Sequence, residues 1–125
     1  MCCLRNGFAS LKKNQDFRKV YGQGTYAANE MFVAYALAND LSQNRIGITV
    51  SKKIGNAVKR NRIKRLVKES CRLYSQLQSS KLGFDFVILA RTPVSTIENK
   101  GAFVKIDKHI KQLFTRLNKK MSFMI

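Results

Sequence analysis

The sequence predicts an α+β fold: a single-domain sandwich of a four-stranded sheet with packing helices, in the order α-β-β-β-α-β-α. Three observations carry this. First, Ile63, Leu66, Val67, Leu73, Tyr74 and Leu77 recur at helical spacing, as do Phe103, Ile106, Ile110, Leu113, Phe114 and Leu117. Second, residues 45–51 alternate, with Ile46, Ile48 and Val50 on one side and Arg45, Gly47, Thr49 and Ser51 on the other. Third, residues 84–91 are apolar on both faces, the pattern of a central strand. A chain of 125 residues that is 45% hydrophobic can fill one core. Residues 1–125 are read as one domain, with 1–10 and 119–125 as flexible ends.

The elements follow in order. Residues 14–21 read as a short helix, with Asn14 as N-cap, Asp16 in the first turn, and Phe17, Val20 and Tyr21 as one stripe. Gly22 and Gly24 end it. Residues 25–28 suit a short strand. Residues 31–38 are apolar throughout, with Phe32, Ala34, Ala36 and Ala38 on one face and Met31, Val33, Tyr35 and Leu37 on the other. Asn39, Asp40, Ser42 and Asn44 mark a turn, so strands 31–38 and 45–51 are expected to form an antiparallel hairpin. Ile54-Gly55-Asn56 breaks the chain before a helix over residues 57–77. Gly83 introduces the central strand and Thr92-Pro93 stops it. A last helix spans residues 99–118.

Charge narrows the function. Lys plus Arg number 24 against 7 acids, a net charge of +17 with a pI near 10.3. Such a chain repels itself, and a polyanion relieves the repulsion. Nucleic acid is the leading partner and an anionic membrane surface the second. The membrane reading fails because the apolar stripe opposite the basic face is needed for the core. A helix-turn-helix DNA binder needs a helix where the strand at 45–51 lies. No apolar run approaches membrane-spanning length. The three cysteines, Cys2, Cys3 and Cys71, make a poor disulfide framework and point to a reducing compartment.

Nine basic residues lie between Lys52 and Arg72: Lys52, Lys53, Lys59, Arg60, Arg62, Lys64, Arg65, Lys68 and Arg72, with Glu69 the only acid. Arg60, Lys64, Lys68 and Arg72 form an i, i+4 row, read as lying opposite the apolar stripe, with Arg65 beside it. The row repels itself, which favours a polyanionic partner, and arginine suits phosphate. The acids Asp16, Glu30, Asp40, Glu69, Asp85, Glu98 and Asp107 are dispersed. No catalytic residue or metal site is assigned, because a protein nuclease needs grouped carboxylates or paired histidines. His109, the only histidine, reads as a surface residue with no acid–base partner. Cys71 reads as a small buried hydrophobe.

The stretch Ile54-Gly55-Asn56-Ala57-Val58-Lys59-Arg60-Asn61-Arg62-Ile63-Lys64-Arg65-Leu66-Val67-Lys68-Glu69, preceded by Val50-Ser51-Lys52-Lys53, resembles the Arg-Asn-Arg motif of the bacterial ribonuclease P protein component. Leu11-Lys12-Lys13-Asn14 with Asp16-Phe17, Phe32-Val33 with Tyr35, and Val87-Ile88 with Ala90-Arg91 and Pro93 agree in order, so the resemblance covers residues 11–117.

The resemblance implies a ribosomal-protein-like fold with an unusual left-handed βαβ crossover, against the usual right-handed rule. It implies a protein cofactor of a catalytic RNA, in a ribonucleoprotein endoribonuclease that removes the 5′ leader of precursor tRNA in the cytoplasm. Lys59, Arg60, Asn61, Arg62, Lys64, Arg65 and Lys68 would bind the RNA subunit. Phe17, Tyr21 and Tyr35, with Lys52 and Lys53, would hold the leader. Mg2+ is expected with the RNA subunit, and no membrane or small-molecule substrate is implied. Periodicity alone would bury Phe17 and Tyr21, whereas the resemblance implies partial exposure with Val20 packed inward. Composition and fold leave open a non-enzymatic RNA-binding protein of the ribosomal or assembly-factor type.

Overall fold

Apolar alternation and helical spacing translate into a sheet covered unequally on its two faces. The computed structural model describes residues 9–39, 44–75, 83–98 and 100–122. The elements are β1 (Ala9–Ser10), α1 (Asn14–Gln23), β2 (Thr25–Ala28), β3 (Phe32–Ala38), β4 (Arg45–Thr49), α2 (Ala57–Ser75), β5 (Phe84–Ala90), a 3-10 turn (Thr92–Thr96) and α3 (Ala102–Ser122). Four strands and three helices follow the expected order. The two-residue β1 adds a short fifth strand beside β4, giving the sheet order β1-β4-β5-β3-β2. Ala9 and Ser10 are thus paired, and α3 continues through residues 119–122. Leu77, expected in the apolar stripe of α2, lies outside the described residues.

The expected hairpin of β3 with β4 does not form. β5 lies between them, antiparallel to β3 and parallel to β4. The reason is burial. Phe86 and Ile88 point to one face of the sheet and Val87 to the other, and all three are buried. A strand apolar on both faces gains most at the centre, where neighbours also satisfy both of its backbone edges. The β4–α2–β5 connection is therefore a crossover between parallel neighbours.

Phe32, Ala34, Ala36, Ile46, Phe86 and Ile88 meet Ile63 and Val67 of α2 and Ile106, Ile110, Leu113, Phe114 and Leu117 of α3 in the main core. Each large side chain buried there contributes about 1.5–3 kcal/mol. The Ser70 hydroxyl donates to Asp107 at 2.7 Å and ties the two helices together. Among the described residues, no helix is long and apolar enough to cross a membrane. The opposite face holds a smaller cluster, Leu11, Val20 and Val87, with Phe17, Tyr35 and Leu37 packed against it. There α1 covers only part of the sheet. At the outer edge, Arg116 and Lys120 of α3 donate to the carbonyls of Ala28 and Tyr26 in β2.

Caps account for the helix ends. Lys13, not Asn14, is the N-cap of α1: its backbone is extended, its carbonyl accepts from the Phe17 N–H, and no side chain caps the end. Asn14 is already helical. Gly22 sits within the helix, and Gly24 closes it by donating to the Val20 carbonyl at 2.8 Å. A Cβ on Gly24 would lie 2.6 Å from that oxygen and 2.8 Å from the Ala36 carbonyl oxygen. Asn56 caps α2 by accepting from the Lys59 N–H at 2.9 Å.

Cys71 is fully buried, and burial pushes its thiol well above its ordinary pKa. Cys71 is therefore expected to resist alkylation by iodoacetamide at about pH 8 in the folded protein and to react once urea unfolds it. Peptide mapping by mass spectrometry distinguishes it from Cys2 and Cys3, and native-state labelling of Cys71 would contradict the packing.

Candidate nucleic-acid interface

The half-covered sheet face carries a row of aromatic rings. A strand places alternate residues on one side, so Tyr26 and Tyr35, paired across β2 and β3, share a face with Val87 and Gly47. In α1 the i, i+4 spacing puts Phe17 and Tyr21 above that row while Val20 turns fully inward. Ring centroids lie 6.5 Å apart for Phe17 and Tyr21, 4.9 Å for Tyr21 and Tyr35 (edge-on), and 5.8 Å for Tyr35 and Tyr26. Phe17 and Tyr35 are half-buried, whereas Tyr21 is 39% and Tyr26 54% exposed. An open pocket of about 350 Å³ lies at the Phe17 end, lined by Asn14, Phe17, Arg18, Tyr21 and Thr49. The next row across the sheet, Thr49, Leu89, Val33 and Ala28, is exposed or half-buried and extends this floor. Partly exposed rings over an apolar floor offer stacking faces to unpaired bases.

Gly47 and Arg45 hold α1 in place. Gly47 leaves room for the Phe17 ring: a Cβ there would lie 2.3 Å from its tip. Arg45 grips Asp85 through two hydrogen bonds of 2.7 and 2.6 Å and reaches Asp16 of α1 at 3.6 Å. Asn39 adds a 2.8 Å bond to Asp85, which is only 5% exposed. The Asp85 hydrogen bond, opposed by desolvation, holds the Arg45 guanidinium above its usual pKa. Two acids far apart in sequence thus meet on one arginine, a structural arrangement.

The basic helix corrects one expectation. The row Arg60, Lys64, Lys68 and Arg72 does not lie squarely opposite the apolar stripe. Each i, i+4 step advances about 40° around a helix, so the row winds. Arg60 and Lys64 are half-buried at the flank of the core face, and Lys68 is exposed. Asn61 and Arg65 are exposed and Arg62 is half-buried. Lys59 is pinned to the Ser95 carbonyl, Arg60 donates to the Gly55 carbonyl at 3.2 Å, and Arg72 pairs with Glu69 at 2.5 Å. Arg62, Lys64, Arg65 and Lys68 have no ion-pair partner among the described residues, which leaves their charge for an external anion. Lys52 and Lys53 are exposed in the turn beyond β4. Among the described residues neither lies over a ring as Lys120 does over Tyr26, and neither lines the pocket at Phe17.

His109 also departs from expectation. It is half-buried rather than a plain surface residue, and it has an acidic partner. Nδ1 is 2.8 Å from the Lys105 carbonyl and Nε2 is 3.3 Å from Glu30. The lone pair Glu30–His109 crosses from the β2–β3 turn to α3, which sequence spacing could not reveal. Tyr26 escapes the sequence reading as a ring of the row because the short β2 carries no pattern strong enough to orient it. Among the described residues, no three His, Cys, Asp or Glu side chains come together, so this chain assembles no set of metal ligands there.

A mixed sheet with one packed face, a half-open aromatic face and a basic helix with four cations that lack an ion-pair partner among the described residues has the features of an RNA-binding α+β protein. Residues 6–118 match the ribonuclease P family, and the chain belongs to it. The ribonuclease P protein component of Clostridioides difficile (strain 630) is 46% identical over 112 residues, covering 89% of this chain and 93% of that protein. The protein of the same name from Bacillus velezensis (strain DSM 23117 / BGSC 10A6 / LMG 26770 / FZB42) is 44% identical, covering 90% and 93%. The solved structure of the Staphylococcus aureus RNase P protein superposes with a TM-score of 0.74 at 34% identity, covering 85% of this chain and 92% of that one.

Proposed function

We propose that this chain is the protein component of ribonuclease P, working in the cytoplasm with a catalytic RNA to remove the 5′ leader from precursor tRNA. The row Phe17–Tyr21–Tyr35–Tyr26 over an open sheet floor is the observation that carries the leader assignment. Stacking on such rings is worth about 1–3 kcal/mol per base and tolerates any sequence. Lys52 and Lys53 beyond β4 supply charge for the leader backbone. The RNA subunit is assigned to α2, through Lys59, Arg60, Asn61, Arg62, Lys64, Arg65 and Lys68, of which Arg65 and Lys68 are the freest cations. Such contacts position the protein without reading sequence.

The chemistry is assigned to the RNA subunit and the Mg2+ ions bound with it. Five of the seven acids serve elsewhere: Asp16 and Asp85 face Arg45, Asp107 accepts from Ser70 and pairs with Lys111, Glu69 pairs with Arg72, and Glu30 faces His109. What the protein contributes is orientation of the leader and neutralisation of phosphate repulsion between two RNAs.

The test is precursor-tRNA cleavage at low magnesium by a bacterial ribonuclease P RNA, with and without this protein. Rescue is expected only from the combination, and cleavage by the protein alone would overturn the assignment of chemistry to RNA. Arg65→Ala with Lys68→Ala should lower the salt slope of RNA-subunit binding by about one for each phosphate left without its cation. Tyr35→Ala should weaken leader-bearing substrate by about 1–3 kcal/mol and leave mature tRNA unchanged. Equal weakening of both would make Tyr35 a packing residue.

A further inference from the structure

The ring row does not stop at the sheet edge. Tyr26, its last member, carries the Lys120 ammonium 4.9 Å above the ring centroid, and Lys120 belongs to α3. From there α3 runs beside β2: Arg116 reaches the Ala28 carbonyl, and the Asn29 amide donates to the His109 carbonyl at 3.0 Å and to the Gln112 side chain at 3.1 Å.

Charge on α3 is sorted by face. Helical geometry puts Lys105, Lys108, His109, Gln112, Arg116, Lys119 and Lys120 within about a third of the circumference. Five of the helix's six Lys and Arg residues lie on that arc, and none of its acids. The sixth, Lys111, lies off it and is paired with Asp107 at 3.1 Å, the acid that also binds Ser70 of α2. Lys105, Lys108 and Lys119 are exposed and have no ion-pair partner among the described residues. On this ridge Asn29, Glu30, Lys108, His109, Gln112 and Arg116 line an open hollow of about 370 Å³. Its one acid, Glu30, comes from the turn and is 75% exposed at the side chain.

We infer that the α3 ridge is a second, sequence-independent track for the leader, binding the phosphodiester backbone of nucleotides upstream of those held on the rings, with the hollow receiving one phosphate. Continuity chooses this occupant: the rings lead to Lys120, and the ridge extends from there for ~22 Å to Lys105. The unpaired α2 cations Lys64, Arg65 and Lys68, by contrast, lie on the flank of α2 turned away from Ser70 and so from α3. The inference rests on the leader reading above.

The experiment uses reconstituted holoenzyme and two substrates that differ only in leader length, one ending within the ring row and one extending well beyond it. Lys108→Gln with Lys119→Gln should weaken the long-leader substrate roughly tenfold, lower its salt slope by about 1.4, and leave the short-leader substrate and RNA-subunit affinity unchanged. Glu30→Gln should shift the long-to-short ratio the other way. Lys111→Gln removes a charge from the same helix off the ridge and should leave the ratio alone. An unmoved ratio in the double variant, an equal shift with Lys111→Gln, or weakened RNA-subunit affinity would each overturn the track. If wild-type holoenzyme shows no preference for leader-bearing over mature tRNA, the leader reading itself fails. If that preference stands and only the length effect is missing, the ridge assignment alone fails.

Discussion

Replacing Arg45 by leucine is expected to cost about 3–5 kcal/mol of stability, the range for removing one partner of a buried ion pair. Asp85 is the reason. It is 5% exposed, takes two hydrogen bonds from Arg45, and among the described residues would retain only the Asn39 amide at 2.8 Å. Arg45 itself is partly exposed, so the converse change, Asp85→Leu, leaves a cation that can turn to water and should cost less. Changing both residues to leucine should cost less than Arg45→Leu alone, because desolvation of the carboxylate disappears with it. Urea unfolding of the three variants checks this, and additive effects would show that Arg45 does not carry the charge of Asp85. The same arginine reaches Asp16, so Arg45→Leu should also loosen α1.

Gly47→Val is expected to separate the two RNA-binding tasks proposed for the chain. The new Cβ would sit 2.3 and 2.6 Å from two Phe17 ring carbons and 3.3 Å from the Leu11 Cβ. The ring must leave its seat, and overpacking of this kind costs about 1–3 kcal/mol. Because Phe17 begins the ring row, leader-bearing substrate should bind more weakly by at least the share of one stacked base, about 1–3 kcal/mol. RNA-subunit affinity should hold, since Gly47 and α2 lie on different faces of the sheet. Combining Gly47→Ala with Phe17→Leu should recover stability without recovering leader affinity. Recovery of both would mean that Phe17 matters only for packing.

Periodicity reports faces well and neighbours poorly. The stripes of α2 and α3, the inward turn of Val20 and the two-sided burial of β5 are legible because each depends on residues close in the chain. Periodicity alone would bury Phe17 and Tyr21; the resemblance to a family implies their partial exposure, and the structure shows it. The expected β3–β4 hairpin fails because a turn signal says that a chain reverses, and says nothing of a later strand entering the gap. Arg45–Asp85, Glu30–His109 and Lys120 over Tyr26 are invisible for the same reason: each joins residues at least 40 positions apart and exists only once the sheet order is set. The N-cap slips by one residue because Lys13 offers an extended backbone without a capping side chain.

The hydrogen bonds from Arg116 and Lys120 to the Ala28 and Tyr26 carbonyls bear on how the free protein behaves at high concentration. An outermost strand normally presents a ladder of unmet acceptors on which a second chain can build, the usual seed of aggregation. In β2 two of those acceptors are already occupied by long cationic side chains. An incoming strand would have to displace them and then meet a like-charged neighbour. This edge of the sheet is thus a short border strand guarded by cations instead of proline or a bulge.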